Sequence, residues 1–183
     1  MARPPKFDRE EALHRAMLLF WERGFDRTSI SDLTEAMGIS PPSLYAAFGD
    51  KQALFDAAVD LYEQSAVVPP ALEAATAREV FEQILDRAVT LYTEPTHPPG
   101  CLVISEPTLG ARRGTGGEAL IERLRRAQRD GDLPDDADPT ALADYVDLVL
   151  RGLSGKARDG AGREQLRAVA DVALLAWPEA PRP

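Results

Sequence analysis

Residues 28–54, TSISDLTEAMGISPPSLYAAFGDKQAL, decide the fold. Their spacing predicts a short helix, a tight turn, a second short helix and the start of a third. Thr28 or Ser29 offers the N-cap of the first helix, with Asp32 three residues after Ser29 in a capping-box position. Leu33 and Met37 repeat at i, i+4, and Gly38 stands where the chain leaves helical geometry. Ser40 offers the next N-cap, and Pro41 takes the first helical position, where its missing N–H does no harm. Leu44 and Phe48 mark one apolar face, Gly49 ends the helix, and Asp50 caps the next. Two short helices joined by a turn containing Gly form a helix-turn-helix, a unit whose second helix enters the DNA major groove.

Upstream, Asp8 with Glu11 starts a helix that runs to about Gly24, and Leu13, Ala16, Met17 and Phe20 form its apolar stripe. Phe25 follows as a core anchor. The result is an N-terminal three-helix domain over residues 1–49. The Pro-rich, basic stretch 1–7 is either an arm that reaches DNA phosphates or the minor groove, or a frayed terminus.

Downstream, a connecting helix over 50–64 carries Leu54, Phe55, Ala58, Val59, Leu61 and Tyr62, a stripe wide enough to face two bodies. Pro69–Pro70 breaks it. Residues 65–183 read as a second helical domain. Thr76 and Glu79 frame a capping box for a helix to about Thr93, and Glu94–Gly100 is a firm break. CLVISEPTLG is ambiguous between strand and buried helix, and a helix is favoured because every other element is helical. RRGTGG reads as a flexible connection, followed by an amphipathic helix from Glu118 to Arg129. Asp138–Pro139 starts the next helix, GKARDGAG interrupts, and a last helix carries apolar residues from Leu166 to Trp177 before Pro178. The final two helices either complete a core or form half of a four-helix homodimer interface. The fold class is all-α.

Composition sets bounds on function. With 183 residues, 44% hydrophobic and 28% charged, the chain is an ordinary globular protein with room for one or two cores. No apolar run follows the basic N-terminal residues, and nothing approaches 18 uninterrupted apolar residues, so neither a signal peptide nor a membrane span is expected. A single cysteine, Cys101, excludes an internal disulfide and suits a reducing cytoplasm. The net charge of −9 runs against the usual basic character of nucleic-acid binders. Residues 1–64 hold seven Lys/Arg against eleven Asp/Glu, a net of −4. Binding to DNA would therefore rest on a few well-placed donors, with weak non-specific affinity.

The stretch GIS-PPSLYAAF-GDKQALF, within a three-helix domain followed by a helical second domain, resembles the turn, recognition helix and fourth-helix start of the TetR family of one-component repressors. The resemblance covers about the first 60 residues. More weakly, HPPGCLV, DGDLP-DADP and the AWP ending resemble the C-terminal half of one subgroup, relative to which the region between Glu106 and Glu118 is short. The resemblance implies a homodimeric DNA-binding transcriptional regulator, a repressor. Its two recognition helices would occupy successive major grooves of a pseudo-palindromic operator, and a small molecule in the second domain would release DNA. Carried over by position, Thr28 caps the first motif helix and points its N-terminus at a phosphate. Ser29, Ser40, Pro41, Pro42, Ser43 and Tyr45 face the groove or its walls, and Lys51 neutralises a phosphate. Leu33, Met37, Ile39, Leu44 and Phe48 are core.

From Ser40 to Phe48 there is no Arg, Lys, Asn, Gln, Asp or Glu, so the bidentate pairings that read guanine or adenine are missing. Reading falls to Ser hydroxyls, Tyr45, and proline or alanine contacts with thymine methyls. Arg27, Gln52 and the basic arm add polar contacts, and DNA shape contributes.

Phe55, Val59 and Tyr62 of the connecting helix, with Phe81, Ile84, Tyr92, Cys101, Val103 and Tyr145, are candidates to line an apolar effector cavity; the alternative is that they simply pack together. A ligand there would be mostly apolar. Cys101 in the first turn of a helix is a candidate redox or electrophile sensor, against the plainer reading as a small core residue. His14 and His97 stand apart without a carboxylate cluster, so no metal site is expected. GTGG lacks the Lys-Ser/Thr of a phosphate loop. Arg123, Arg125, Arg126 and Arg129 read as a solvated face. No constellation supports an enzyme, and no cofactor is expected. The competing reading is a helical protein-interaction module that has lost DNA binding.

Overall fold

The computed structural model describes residues 7–64 and 67–178, with the backbone alone for residues 111–116. Arg3 and Lys6 of the basic arm lie outside the described residues. All regular structure among the described residues is helical. The chain divides into two compact units, Met1–Ser65 and Ala66–Pro183. None of the described helices is long and apolar enough to cross a membrane.

The first unit contains α1 (Arg9–Arg23), α2 (Ile30–Met37), α3 (Pro41–Phe48) and α4 (Lys51–Glu63). Each begins at its own side-chain cap. Asp8 accepts from Glu10 and Glu11 N–H, Ser29 from Asp32, Ser40 from Ser43 and Asp50 from Ala53. α1 packs along α4 and across α2. The core between them is aromatic. The Phe20 and Phe55 rings meet edge to face at 5.0 Å, Phe25 lies 5.0 Å from Phe55, and Trp21 meets Tyr62 at 4.8 Å. Phe20, Leu33, Leu44, Leu54 and Phe55 are fully buried, each contributing about 1.5–3 kcal/mol. Of the wide stripe on α4, Leu54, Phe55, Ala58, Val59 and Tyr62 are buried and Leu61 is half-buried.

The second unit is built around α6 (Ala77–Tyr92), which packs against α5 (Val68–Ala71), α8 (Thr115–Arg129), α9 (Pro139–Arg158) and α10 (Arg163–Leu175). Thr76 and Glu79 complete the expected capping box on α6. CLVISEPTLG forms only one α-turn, α7 (Leu102–Ser105), and then 3₁₀ turns over Pro107–Gly114 broken at Gly110 (φ 47°, ψ −120°).

Three expectations are corrected here. RRGTGG is not connector throughout, since α8 starts at Thr115. GKARDGAG does not interrupt at its first glycine: α9 runs through Gly155 and Lys156 to Arg158. Burial of Leu153, Ser154 and Ala157 on one face outweighs the roughly 1 kcal/mol propensity cost of a helical glycine. The last helix ends at Leu175, and Trp177 lies beyond it, turned in to stack on Phe81 with ring centroids 4.6 Å apart.

Arg123 is a fourth correction. Arg125 and Arg129 are exposed and pair with Glu122, but Arg123 is buried. Its guanidinium donates to the carbonyls of Leu72 (3.1 Å), Ala74 (2.9 Å) and Ala75 (3.1 Å), so a charged fork satisfies three backbone acceptors of one loop. Asp132 accepts from Ala77 N–H at 2.6 Å, which ties the end of α8 to the start of α6.

Candidate nucleic-acid interface

The turn between α2 and α3 is three residues long, Gly38 to Ser40. Gly38 adopts the left-handed conformation (φ 67°, ψ 32°), and its N–H returns to the carbonyls of Thr34 and Glu35. Ile39 N–H also bonds to Thr34 O, at 3.1 Å, which completes the exit from α2. Ser40 then caps α3 and the two prolines take its first positions. Leu44 and Phe48 turn inward, and the Arg9 guanidinium covers the Phe48 ring at 4.6 Å. Pro41, Pro42 and Ala46 face solvent, and Tyr45 is 51% exposed. Ile39, expected as core, is half-buried.

Several polar groups on this surface are engaged within the unit. Ser40 and Ser43 hydroxyls bond to each other at 2.9 Å, and Ser43 N–H also turns back to Ser40 O at 3.0 Å. Lys51 Nζ sits 4.1 Å over the Phe25 ring. Arg27 Nε donates to Arg23 O at 2.8 Å, and Gln52 donates to Asp56 at 3.1 Å. Asp32 is held below the usual carboxylate range, chiefly by hydrogen bonds from the Ser29 hydroxyl and N–H and also by Arg23. As an anion at the start of α2 it suits the helix dipole.

Thr28 is corrected. It is not the cap of α2, because Ser29 forms the full capping box with Asp32. Thr28 is buried, and its hydroxyl donates to Gly24 O at 2.7 Å, which pins the α1–α2 loop. Ser29, Arg27, Ser40, Pro41, Pro42 and Tyr45 are exposed, and Ser43 and Lys51 are half-buried.

Of the residues expected around an effector, three belong to the first unit and six to the second. Phe55, Val59 and Tyr62 are buried in the first unit. In the second unit, Phe81 lies 5.8 Å from the Tyr145 ring as well as under Trp177, and Tyr145 OH donates to Ala173 O at 2.9 Å. Ile84 is fully buried, and Val103 is half-buried. Tyr92 is buried next to Cys101; burial, reinforced by Cys101 and Asp147, pushes its phenol well above the usual range. Cys101 is buried and is the N-cap residue of α7, where its Sγ accepts from Ile104 N–H at 3.5 Å. A four-residue helix supplies little macrodipole, which favours the packing reading of this thiol. Among the described residues, no group of three or more His, Cys, Asp or Glu is placed to hold a metal.

Sequence reasoning missed Ser154, whose hydroxyl accepts from Cys101 N–H at 2.9 Å, along with Arg123 and Trp177. The signal for two of them was present. Arg123 shares a face with Leu120, Leu124 and Ala127, and Ser154 shares one with Leu150 and Ala157.

Two short helices joined by a glycine turn, the second facing outward, within a helical unit define the helix-turn-helix class of DNA-binding proteins. Residues 12–58 match the family of bacterial regulatory proteins described as the tetR family. The chain is 34% identical over 193 residues to the HTH-type transcriptional repressor ComR of Escherichia coli, covering 97% of this chain and 92% of that one. It is 32% identical over 185 residues to the repressor BdcR of the same organism, covering 93% and 89%. A solved structure of a cysteine mutant of the TetR family regulator CifR, complexed with 26-base-pair operator DNA, superposes with a TM-score of 0.88 at 41% identity, covering 97% of this chain and all of the other. The chain belongs to the tetR family of bacterial transcriptional regulators.

Proposed function

We propose that this regulator is a homodimeric repressor that binds a pseudo-palindromic operator and leaves it when a small, mostly apolar effector binds the second unit. The observation that carries this reading is the helix-turn-helix itself. α3 is held from behind by Leu44 and Phe48, with Pro41, Pro42, Tyr45 and Ala46 facing outward. In this reading residues 1–49 read DNA, 50–64 connect, and 65–183 bind effector and dimerise.

Exposed apolar side chains support the dimer. Leu148 of α9 and Val169, Val172 and Leu175 of α10 are 67%, 43%, 66% and 81% exposed. A four-helix contact with a second copy would remove them from water. Two α3 helices in such a dimer would need a spacing of about 34–36 Å, or a multiple. The effector would contact Phe81, Ile84, Tyr92, Cys101, Val103 and Tyr145, a set with few charges.

The test is retention of genomic fragments by the full chain across a salt series. Sequence-selective retention that weakens steeply with salt is expected. A chain that retains no fragment selectively is an interaction module and not a repressor. The double variant Ser43→Ala, Tyr45→Phe removes two hydroxyls and should weaken operator binding about tenfold. Wild-type affinity in that variant would refute the assigned roles.

A further inference from the structure

The reading end of α3 offers DNA few directional hydrogen-bond donors, namely the exposed Tyr45 hydroxyl and the one serine proton that the Ser40–Ser43 bond leaves over. In a helix-turn-helix the N-terminal residues of the second helix meet the base edges. Here those positions are Pro41 and Pro42, which carry neither a backbone N–H nor a polar side chain. The first amide after them, Ser43 N–H, is bonded to Ser40 O, and the two serine hydroxyls are bonded to each other. The nearest long polar side chains, Arg27, Lys51 and Gln52, are engaged with Arg23 O, the Phe25 ring and Asp56. Beside the exposed Tyr45 with its hydroxyl, the front is an apolar surface of two pyrrolidine rings and the Ala46 methyl, all exposed. Of the features that base pairs show in the major groove, only the C5-methyl of thymine is apolar.

We infer that α3 reads C5-methyl groups through Pro41, Pro42 and Ala46, so that 5-methylcytosine is accepted in place of thymine in each half-site while uracil and unmodified cytosine are not. 5-Methylcytosine carries its methyl at the same ring position as thymine. It differs in the exocyclic group at C4, for which this surface has no bidentate partner. The inference rests on the DNA-binding reading and specifies what that surface recognises.

The experiment uses the full chain and the duplex it enriches from a random library of unmodified DNA. Each thymine of that duplex is replaced in turn by deoxyuridine, and each T·A pair by C·G or by 5-methyl-C·G. Deoxyuridine should weaken binding about fourfold per methyl lost at symmetric positions of the half-sites. At those positions 5-methyl-C·G should return affinity to within about twofold of T·A, and C·G should not. The variant Pro41→Ala, Pro42→Ala should keep its helical content and its salt dependence while the thymine-to-uracil ratio falls at the thymines the prolines meet and holds at the one Ala46 meets. Failure to enrich any sequence overturns both readings. Selective binding that is indifferent to uracil at every thymine, or that 5-methylcytosine does not restore, overturns the methyl inference and leaves DNA binding standing. A uracil effect undiminished at every thymine in the double proline variant overturns the assignment to the prolines.

Discussion

Gly100 makes a close approach whose energetic weight can be measured. It has a φ of +81°, and its N–H bonds to Tyr92 O at 3.1 Å. A Cβ there would stand 2.8 Å from Ser154 O, 2.8 Å from Arg158 Cγ and 3.0 Å from Ser154 Oγ. The arginine methylene can swing away, but the serine carbonyl belongs to α9 and cannot. Gly131 is the control: its φ is +76°, and nothing lies within 4 Å of its imagined Cβ. Gly131→Ala should therefore cost only the left-handed strain, about 1–2 kcal/mol. Gly100→Ala should cost that plus about 1–3 kcal/mol of overpacking, a total of roughly 2–5 kcal/mol. The two tryptophans, Trp21 in the first unit and Trp177 in the second, allow the units to be followed separately. In a Trp21→Phe background, urea unfolding monitored through Trp177 should shift to lower denaturant by the larger amount for Gly100→Ala. Agreement of the two alanine variants within about 0.5 kcal/mol would sink the argument, because it would mean that the loop moves off α9 at no cost.

Three further outcomes follow from the same structure. Arg123→Lys keeps the charge but not the fork over the three carbonyls. It should cost the second unit about 1.5–3 kcal/mol in the same urea assay, with Trp21 unaffected. Asp32 has a lowered carboxyl pKa in the fold, so its stabilising share is present above the unfolded value of about 3.8 and disappears as pH falls through the folded value. Wild type should accordingly exceed Asp32→Asn in stability of the first unit at pH 6, with the gap closing in titrations below about pH 4. Leu148→Glu with Val172→Glu should convert the proposed dimer to monomer in sedimentation equilibrium while leaving the helical content unchanged.

The first unit was legible because its decisive chemistry is local. Asp8, Ser40 and Asp50 cap the helices whose starts they predicted, and Gly38 takes the left-handed position that the turn requires. Thr28 was misplaced because Thr and Ser are both good caps; the choice turned on which hydroxyl meets Asp32 N–H, a matter of one residue in register. In the second unit, α6 announced itself through Thr76 and Glu79. The buried faces of Arg123 and Ser154 were readable but their partners, 48–51 and 53 positions away, were not, nor was the Phe81 partner of Trp177, 96 positions away. No local pattern states that a guanidinium will find three carbonyls. CLVISEPTLG reads as a helix, but its shortening to the one-turn α7 was hidden, because Cys101 N–H donates to the Ser154 hydroxyl of a distant helix. The outward face of α3 was readable from the helix period alone. The anchoring of Arg27 and Lys51 within the unit was not.

Apart from Ser40, which caps α3 and is itself exposed, the residues that hold α3 in place and those that face outward are different residues. Leu44, Phe48 and the Ser40 cap secure the helix, while Pro42, Tyr45 and Ala46 project from it. Surface substitutions away from caps and core usually stay within about 0.5 kcal/mol, so the outward positions can change without endangering the fold. A duplicated copy of this gene could drift to a new set of promoters through two or three codons, keeping its scaffold and its response intact. The same separation gives an engineer a small, bounded library for building regulators that ignore one another's operators.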